Sequence, residues 1–427
     1  MHGNATPIRS LILLVAAVML LWAMPVAPQD AEPTTVTLAY NSFLELSFTD
    51  APAPLDVIRE AVAARDPSIE IEFFVAPDTV EGFRDAIVVF MTSQDGEIDI
   101  YGMDAPWVLE FGRAGWAVPL NDALPELEAN FVSAGLDIFS YEGDRLGVPF
   151  WGSVGGLFYR ADLLDEYGFE PPATYDELVE QVEAITADNP DLTGFTYPAA
   201  KAEALVQVWT EFFNGFGGTF FDADGTCTMN SEAGVEALSF MVNLIESGAT
   251  PENVTAWDAA EARLRFVEGD AIFLRHNQDI ITWLDNPERS AIGGQWGFTQ
   301  NPAQPNGTPT GATGGFAFAA NPFSDTPEAT RIVLEVIASE EVQRGFALAW
   351  GPVQYYDGLY EDTEVAAANP NSELLGEVLP SAAPRPQSTS YSQLSQIIQD
   401  EVHAALTGGK SPADALNDAC ARVGRIR

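Results

Sequence analysis

Apolar positions along the chain recur in two alternating periods. The run VTLAYN at 36–41 is β-rich, and 53–65 then sets Leu55, Ile58 and Val62 at helical spacing before Pro67. A second strand is expected at 69–75, a second helix at 80–91 and a third strand at 98–102. This β-α-β-α-β order predicts an α/β layer with parallel pairing, in which ligands gather beyond the carboxyl ends of the strands. Segments 41–45 and 104–107 stand at two such ends.

A second unit opens near Leu146, where GVPFWGSVGGLFYR (147–160) joins a loop of glycines and aromatics to a strand. Helices are expected at 161–167, 174–187, 202–215, 231–247 and 259–268. The 174–187 helix carries Thr174 as N-cap with Glu177 three residues on, a capping box. Strands are expected at 271–274, 295–298 and 315–319, and helices at 326–338, 340–350, 391–406 and 412–426. Residues 301–313, rich in Pro, Gly, Asn and Thr, have no period and read as a surface loop.

Composition changes the picture by exclusion. A length of 427 residues suggests two or three domains at roughly 150 residues each. With 19 Lys+Arg against 63 Asp+Glu the net charge is −44, yet 47% of residues are hydrophobic, so the chain is globular and not disordered. A polyanion is repelled by nucleic acid and by anionic membrane surfaces, which excludes both as partners. Three histidines and two cysteines exclude a His-rich metal cluster, four-Cys zinc and iron–sulfur sites, and no cofactor is expected.

Arg9, the apolar run 11–22 and the Ala/Pro stretch 23–28 have the layout of a secretory signal peptide, expected to end near 27, with Ala23 and Ala31 as other cleavage points. The run is short of the ~20 apolar residues that span a bilayer. No cysteine follows it, so a lipid anchor is not expected. In an oxidising compartment Cys227 and Cys420 could pair; two buried thiols are the open alternative.

Five stretches stand in a telling order: FYRADLLDEYG (158–168) followed by PATYDEL (172–178), FVEGDAIFLR (266–275), GGFAFAANP (314–322), YSQLSQII (391–398), then AALTGG (404–409). In that order and spacing the chain resembles the family 1 extracellular solute-binding proteins of ABC importers, the maltose-binding-like group. The resemblance implies a type II periplasmic-binding-protein fold: two α/β lobes joined by crossing hinge segments, with a ligand cleft between them. The first lobe is expected at 33–148 with a return segment at 293–350, the second at 149–292 and 351–427. It further implies a monomeric binding protein, not an enzyme, periplasmic or extracellular. Its partners are a small-molecule sugar and ABC permease subunits in the cytoplasmic membrane.

Sugar recognition calls for acceptors and donors around the ring hydroxyls and aromatic faces against the C–H surface. Asp104-Ala-Pro-Trp107 looks like the Asp-x-x-Trp stretch of disaccharide-binding members, with Asp104 taking hydroxyls and Trp107 beside it. Glu45 holds the loop position where such relatives place an acidic ligand residue. Trp151 is expected to stack, and Ser153 stands where relatives binding trehalose or maltose carry Asp. Asn277 stands where many sugar binders have Trp. Phe316 keeps an aromatic after Gly314 and Gly315, whose backbone allows close approach, and Arg385 matches an arginine that reaches ligand hydroxyls.

Two other function classes fit parts of the sequence. A polyol, glycerol phosphate or polyamine ligand fits the same fold, although a phosphate wants basic residues and the chain has only Lys201 and Lys410 as lysines. A secreted glycoside hydrolase needs two carboxyl groups across one sugar bond, and 63 acids supply such pairs by chance.

Overall fold

Three parallel strands begin the first lobe: β1 (Thr34–Tyr40), β2 (Ile69–Val75) and β3 (Ile100–Asp104). β1 pairs with β2 from Thr34↔Ile69 to Tyr40↔Val75 and with β3 at Leu38↔Ile100. The computed structural model describes residues 33–351 and 355–426; the expected signal segment 1–27 lies outside them. The helices between the strands are α1 (Pro54–Arg65), started by a proline at its first turn, and α2 (Val80–Ser93), whose N-cap Thr79 accepts the Gly82 N–H.

Beside a two-residue hairpin of Ser140–Tyr141 with Asp144–Arg145, the other strands are β4 (Val148–Arg160), β5 (Thr193–Thr196), β6 (Ala271–Asn277), β7 (Trp296–Thr299), β8 (Gly311–Ala320) and β9 (Ala382–Pro384), which share the sheet of β1–β3. They complete one mixed sheet in the order β2-β1-β3-β8-β4-β6-β5, with β9 beside β8 and β7 beside β4. The long helices are α3 (Tyr175–Asp188), α4 (Glu203–Gly215), α5 (Glu232–Glu246), α6 (Ala259–Val267), α7 (Pro327–Ile337), α8 (Glu340–Trp350), α9 (Tyr391–Leu406) and α10 (Pro412–Val423). α3 has the expected capping box between Thr174 and Glu177.

Two lobes emerge from where the side chains bury. One core gathers β1–β3, the first residues of β4, Ala317–Ala320 of β8, and α7 and α8. Two more clusters lie on the other side: one of α3–α5, α9 and α10, the other of α6, β6 and β7. β4 belongs to both lobes. Its Val148–Val154 half pairs with β8, and its Gly155–Arg160 half pairs with β6 and β7.

Two expected boundaries move. β7 pairs with Leu157–Arg160 and Phe298 packs with Phe158, so the return to the first lobe comes at β8 and not at 293. Residues 301–310 form the expected loop, exposed at Pro305, Asn306 and Thr308 but tied down elsewhere: Asn301 Nδ2 donates to the Thr310 carbonyl at 2.9 Å and Gln304 N–H to the Gly215 carbonyl at 2.8 Å, and both Asn301 and Thr310 are buried. At the other end, Leu359 and Val365 pack on Ala347 of α8, and Val132 N–H donates to the Tyr355 carbonyl. Residues 355–369 therefore extend the first lobe, and the chain rejoins the second where Leu375 and Val378 are buried.

Cys227 and Cys420 form a disulfide across a sequence separation of 193 residues. It fastens α10 to the segment leading into α5.

Candidate functional site

The carboxyl end of β3, the loop after β1, both crossing strands and the segment after β9 meet the starts of α4 and α6. They enclose a cleft of about 650 Å³ between the lobes. Register fixes its floor. Phe316 of β8 lies opposite Asp104 on one neighbouring strand and opposite Trp151 on the other, and Gly314 lies opposite Ser153. Gly315 has φ +146°, and a Cβ there would stand 2.4 Å from the Trp151 carbonyl oxygen, so this position requires glycine. A Cβ on Gly314 would come within 2.9 Å of both Arg385 and Ser153 Oγ.

Charge in the cleft is organised around Arg385, 2% exposed and not the surface residue its flanking prolines suggest. Its guanidinium donates to Glu203 Oε1 at 2.6 Å and to Asp104 Oδ1 at 3.1 Å, joining the second lobe to the first. Glu203, at the start of α4, also accepts from the Tyr391 hydroxyl and from Ser395 Oγ at 2.5 Å. Burial pushes the Asp104 carboxyl up to about 6; Arg385 opposes this and Glu203 adds to it. Burial works against the charge of Arg385, but Asp104, Tyr391 and Glu203 hold its proton more tightly than usual. A second lobe-to-lobe contact runs from Glu81 of α2, which accepts the Glu203 N–H at 2.9 Å and Gln399 Nε2 at 3.2 Å.

Arg275 forms a second buried pair, with Glu211 of α4, which also accepts the Ala312 N–H at 2.8 Å. Burial raises the Glu211 carboxyl, with Arg275 opposing. Both Arg275 and Arg385 are thus spent on carboxylates before any ligand arrives. Aromatic rings supply the rest of the lining. Trp151 and Phe316 stack at 6.1 Å and 25°, Phe43 lies 5.9 Å from Trp151, and Phe48 meets Trp283 edge-on at 5.1 Å. Four lining residues carry a buried polar atom that makes no hydrogen bond within the described protein: His276 Nε2, Asn277 Oδ1, Trp283 Nε1 and Arg385 Nε.

Of the residues expected from the sequence, Asp104, Trp151, Ser153, Asn277, Gly315, Phe316 and Arg385 line this one cleft. Glu45 is exposed and outside the lining, because the short helical turn Ser42–Glu45 buries Leu44 and turns Glu45 away. Trp107 is 2% exposed and packs between Phe83 and Phe111, since the turn after Asp104 aims it into the first core. Sequence reading missed Glu203, Glu81, Arg263 and Trp283. Glu203 opens a strongly apolar helix, a local oddity that could have drawn notice; the others carry no local signal. Among the described residues no group of three or more His, Cys, Asp or Glu is placed to hold a metal ion.

The chain is similar to known proteins in sequence and in fold. The family profile of the bacterial extracellular solute-binding proteins covers residues 52–344. A probable ABC transporter-binding protein of Deinococcus radiodurans is 29% identical over 344 residues, 78% of this chain and 80% of that one. Among solved structures, maltose-bound T. maritima MalE3 superposes with a TM-score of 0.83 at 28% identity, over 92% of this chain and all of that one. A solute-binding protein of Agrobacterium radiobacter in complex with ribitol gives 0.80 at 21% identity, over 92% and 99%, a likeness of fold. Among the described residues no helix is long and apolar enough to cross a membrane. With a family profile over more than half its length, this chain belongs to the bacterial extracellular solute-binding proteins, the ABC transporter components that bind substrate outside the cell or in the periplasm without converting it.

Proposed function

We propose that the protein captures a sugar or oligosaccharide outside the cytoplasmic membrane and hands it to the permease subunits of an ABC importer by closure of its lobes. The observation that carries this reading is the cleft itself. It sets the Trp151–Phe316 stack against buried polar atoms that find no partner among the described residues. Ring faces suit the C–H surface of a sugar, and unpartnered donors and acceptors suit its hydroxyls. Arg385 and Glu81 already tie the lobes across the cleft, so the conformation is a closed one, and a ligand that binds it better than an open form drives closure. The maltose-bound relative supports a saccharide over the polyamine alternative.

The test is a thermal-shift screen of the exported protein against mono-, di- and trisaccharides, polyols, glycerol phosphates and polyamines. A ligand at 100 times its Kd adds about 2.7 kcal/mol, a visible rise in Tm. A saturable shift with a saccharide, recovered unaltered, is the expected result. A shift confined to polyamines or phosphate esters overturns the substrate class.

A further inference from the structure

Arg263 differs from the other arginines of this acidic protein. Among the described residues, every other arginine that is not exposed has a carboxylate oxygen within 4.0 Å. Arg263 has none, and its guanidinium lies 4.3 Å from the centre of the Trp283 ring instead. Nearby carboxylates are engaged elsewhere: Asp258 accepts the Glu261 N–H at 2.9 Å, and Asp279 lies 3.4 Å from His276 Nδ1. Burial lowers the Arg263 pKa, opposed by Asp279 and Asp258. A half-withdrawn guanidinium held over an indole, without an ion-pair partner, is a donor fork in reserve.

Its position matters as much as its charge. Beyond the cleft a second cavity of about 540 Å³ opens between the loop after β1 and α6, and both cavities are lined by Leu46, Phe48, Ala260, Arg263 and Trp283. Arg263 therefore stands at the junction of a cleft and its extension. Arg289 stands at the outer rim, exposed and without a carboxylate within 4.0 Å, its guanidinium 5.2 Å from the same Trp283 ring. The extension leaves room for more sugar units than the main cleft holds. Of the charged side chains lining it, Arg263 and Arg289 are positive, and Glu261 is the carboxylate, turned to accept the Asp258 N–H at 3.3 Å.

We propose that the natural ligand is an oligosaccharide carrying a carboxylate, a uronate unit, and that this unit lodges at the junction against Arg263 with Arg289 at the rim. The inference rests on the saccharide reading of the cleft and adds the charge and reach of the ligand. A planar guanidinium meets a planar carboxylate through two parallel hydrogen bonds, which a sugar hydroxyl cannot offer. Each carboxylate lining the main cleft has a partner other than Arg263: Asp104 and Glu203 are held by Arg385, Asp78 accepts from Ser42, Glu81 accepts the Glu203 N–H, Asp258 accepts the Glu261 N–H, and Asp279 faces His276 Nδ1.

Titration calorimetry on the exported protein decides it, using pairs matched in length and linkage: galactotriose and trigalacturonate, mannotriose and trimannuronate, xylotriose and its glucuronate-substituted form. Sulfated galactotriose serves as the anion control. At least one acidic member is expected to bind about tenfold or more tighter than its neutral partner, a difference of about 1.4 kcal/mol. Arg263→Gln should abolish that preference, the acidic member losing about tenfold more affinity than its neutral partner. Arg289→Gln, at an exposed position, should weaken acidic binding less and serves if Arg263→Gln does not fold. Equal or tighter binding of the neutral member in every pair overturns the proposal and leaves the saccharide reading standing. So does an acidic preference that survives in Arg263→Gln, while a preference for the sulfated sugar overturns the carboxylate. Binding by no saccharide at all overturns both readings.

Discussion

Arg385 reaches Asp104 at 3.1 Å from 281 residues further along the chain. The burial of the pair sets a pH dependence. Burial raises the Asp104 carboxyl to about 6, above its value of about 3.8 in the unfolded chain. Between those values the native state holds a proton that the unfolded state has lost, so stability from this group is full below about 3.8 and is lost as pH rises through about 6. The stability of the unaltered protein should therefore gain on that of Asp104→Asn as pH falls from about 6 to 4, and gain no more below. Urea titrations of both proteins across that range measure it, and a flat difference contradicts it.

Removing the arginine has a different signature. Arg385→Met leaves Asp104 and Glu203 facing each other in a buried site, and breaking such a pair costs about 3–5 kcal/mol. The ligand-free Tm should drop sharply. A variant as stable as the parent would mean the network contributes nothing to the resting fold.

Two tryptophans beside the cleft should part company. Trp107→Ala empties a site between Phe83 and Phe111 and should cost about 3–5 kcal/mol of stability. Trp151 is half-buried and stacks on Phe316 at the cleft floor. Its replacement by alanine should weaken saccharide binding about tenfold, about 1.4 kcal/mol, with a smaller loss of Tm. Calorimetry and melting curves on the two variants distinguish them, and equal effects on both readouts would merge the two roles.

The Cys227–Cys420 bond closes a 193-residue separation. Opening it by Cys227→Ser with Cys420→Ser should cost about 2–5 kcal/mol. Mass spectrometry of the unreduced exported protein should find no free thiol. Labelling of either cysteine contradicts the bond.

How much of this was legible follows from where each signal is carried. The β-α-β-α-β start shows in the chain because every element buries its own apolar face: Val36 and Leu38 from β1, Ile58 and Val62 from α1, Phe83 and Ile87 from α2. Thr174 and Glu177 mark their helix because a capping box is local chemistry. The sequence places the return to the first lobe ahead of β8 because the hydrogen bonds that tie residues 301–310 to partners such as Gly215 leave no trace in periodicity. Trp107 and Trp151 each stand near a polar candidate in the sequence, and only the packing of Phe83 and Phe111 shows which one faces inward. Glu203 joins Asp104 only through Arg385, a relation among three distant segments that no single stretch contains.

The lobe boundaries also bear on how the chain reaches its native state. One core holds Val36 and Tyr391 together, and the second lobe awaits α9 and α10 near the end of the chain. Neither half can complete its packing on the ribosome from an N-terminal fragment alone. Native contacts of such sequence separation form slowly. The two lobes of such a chain condense late and together, once the last helices are available to both cores.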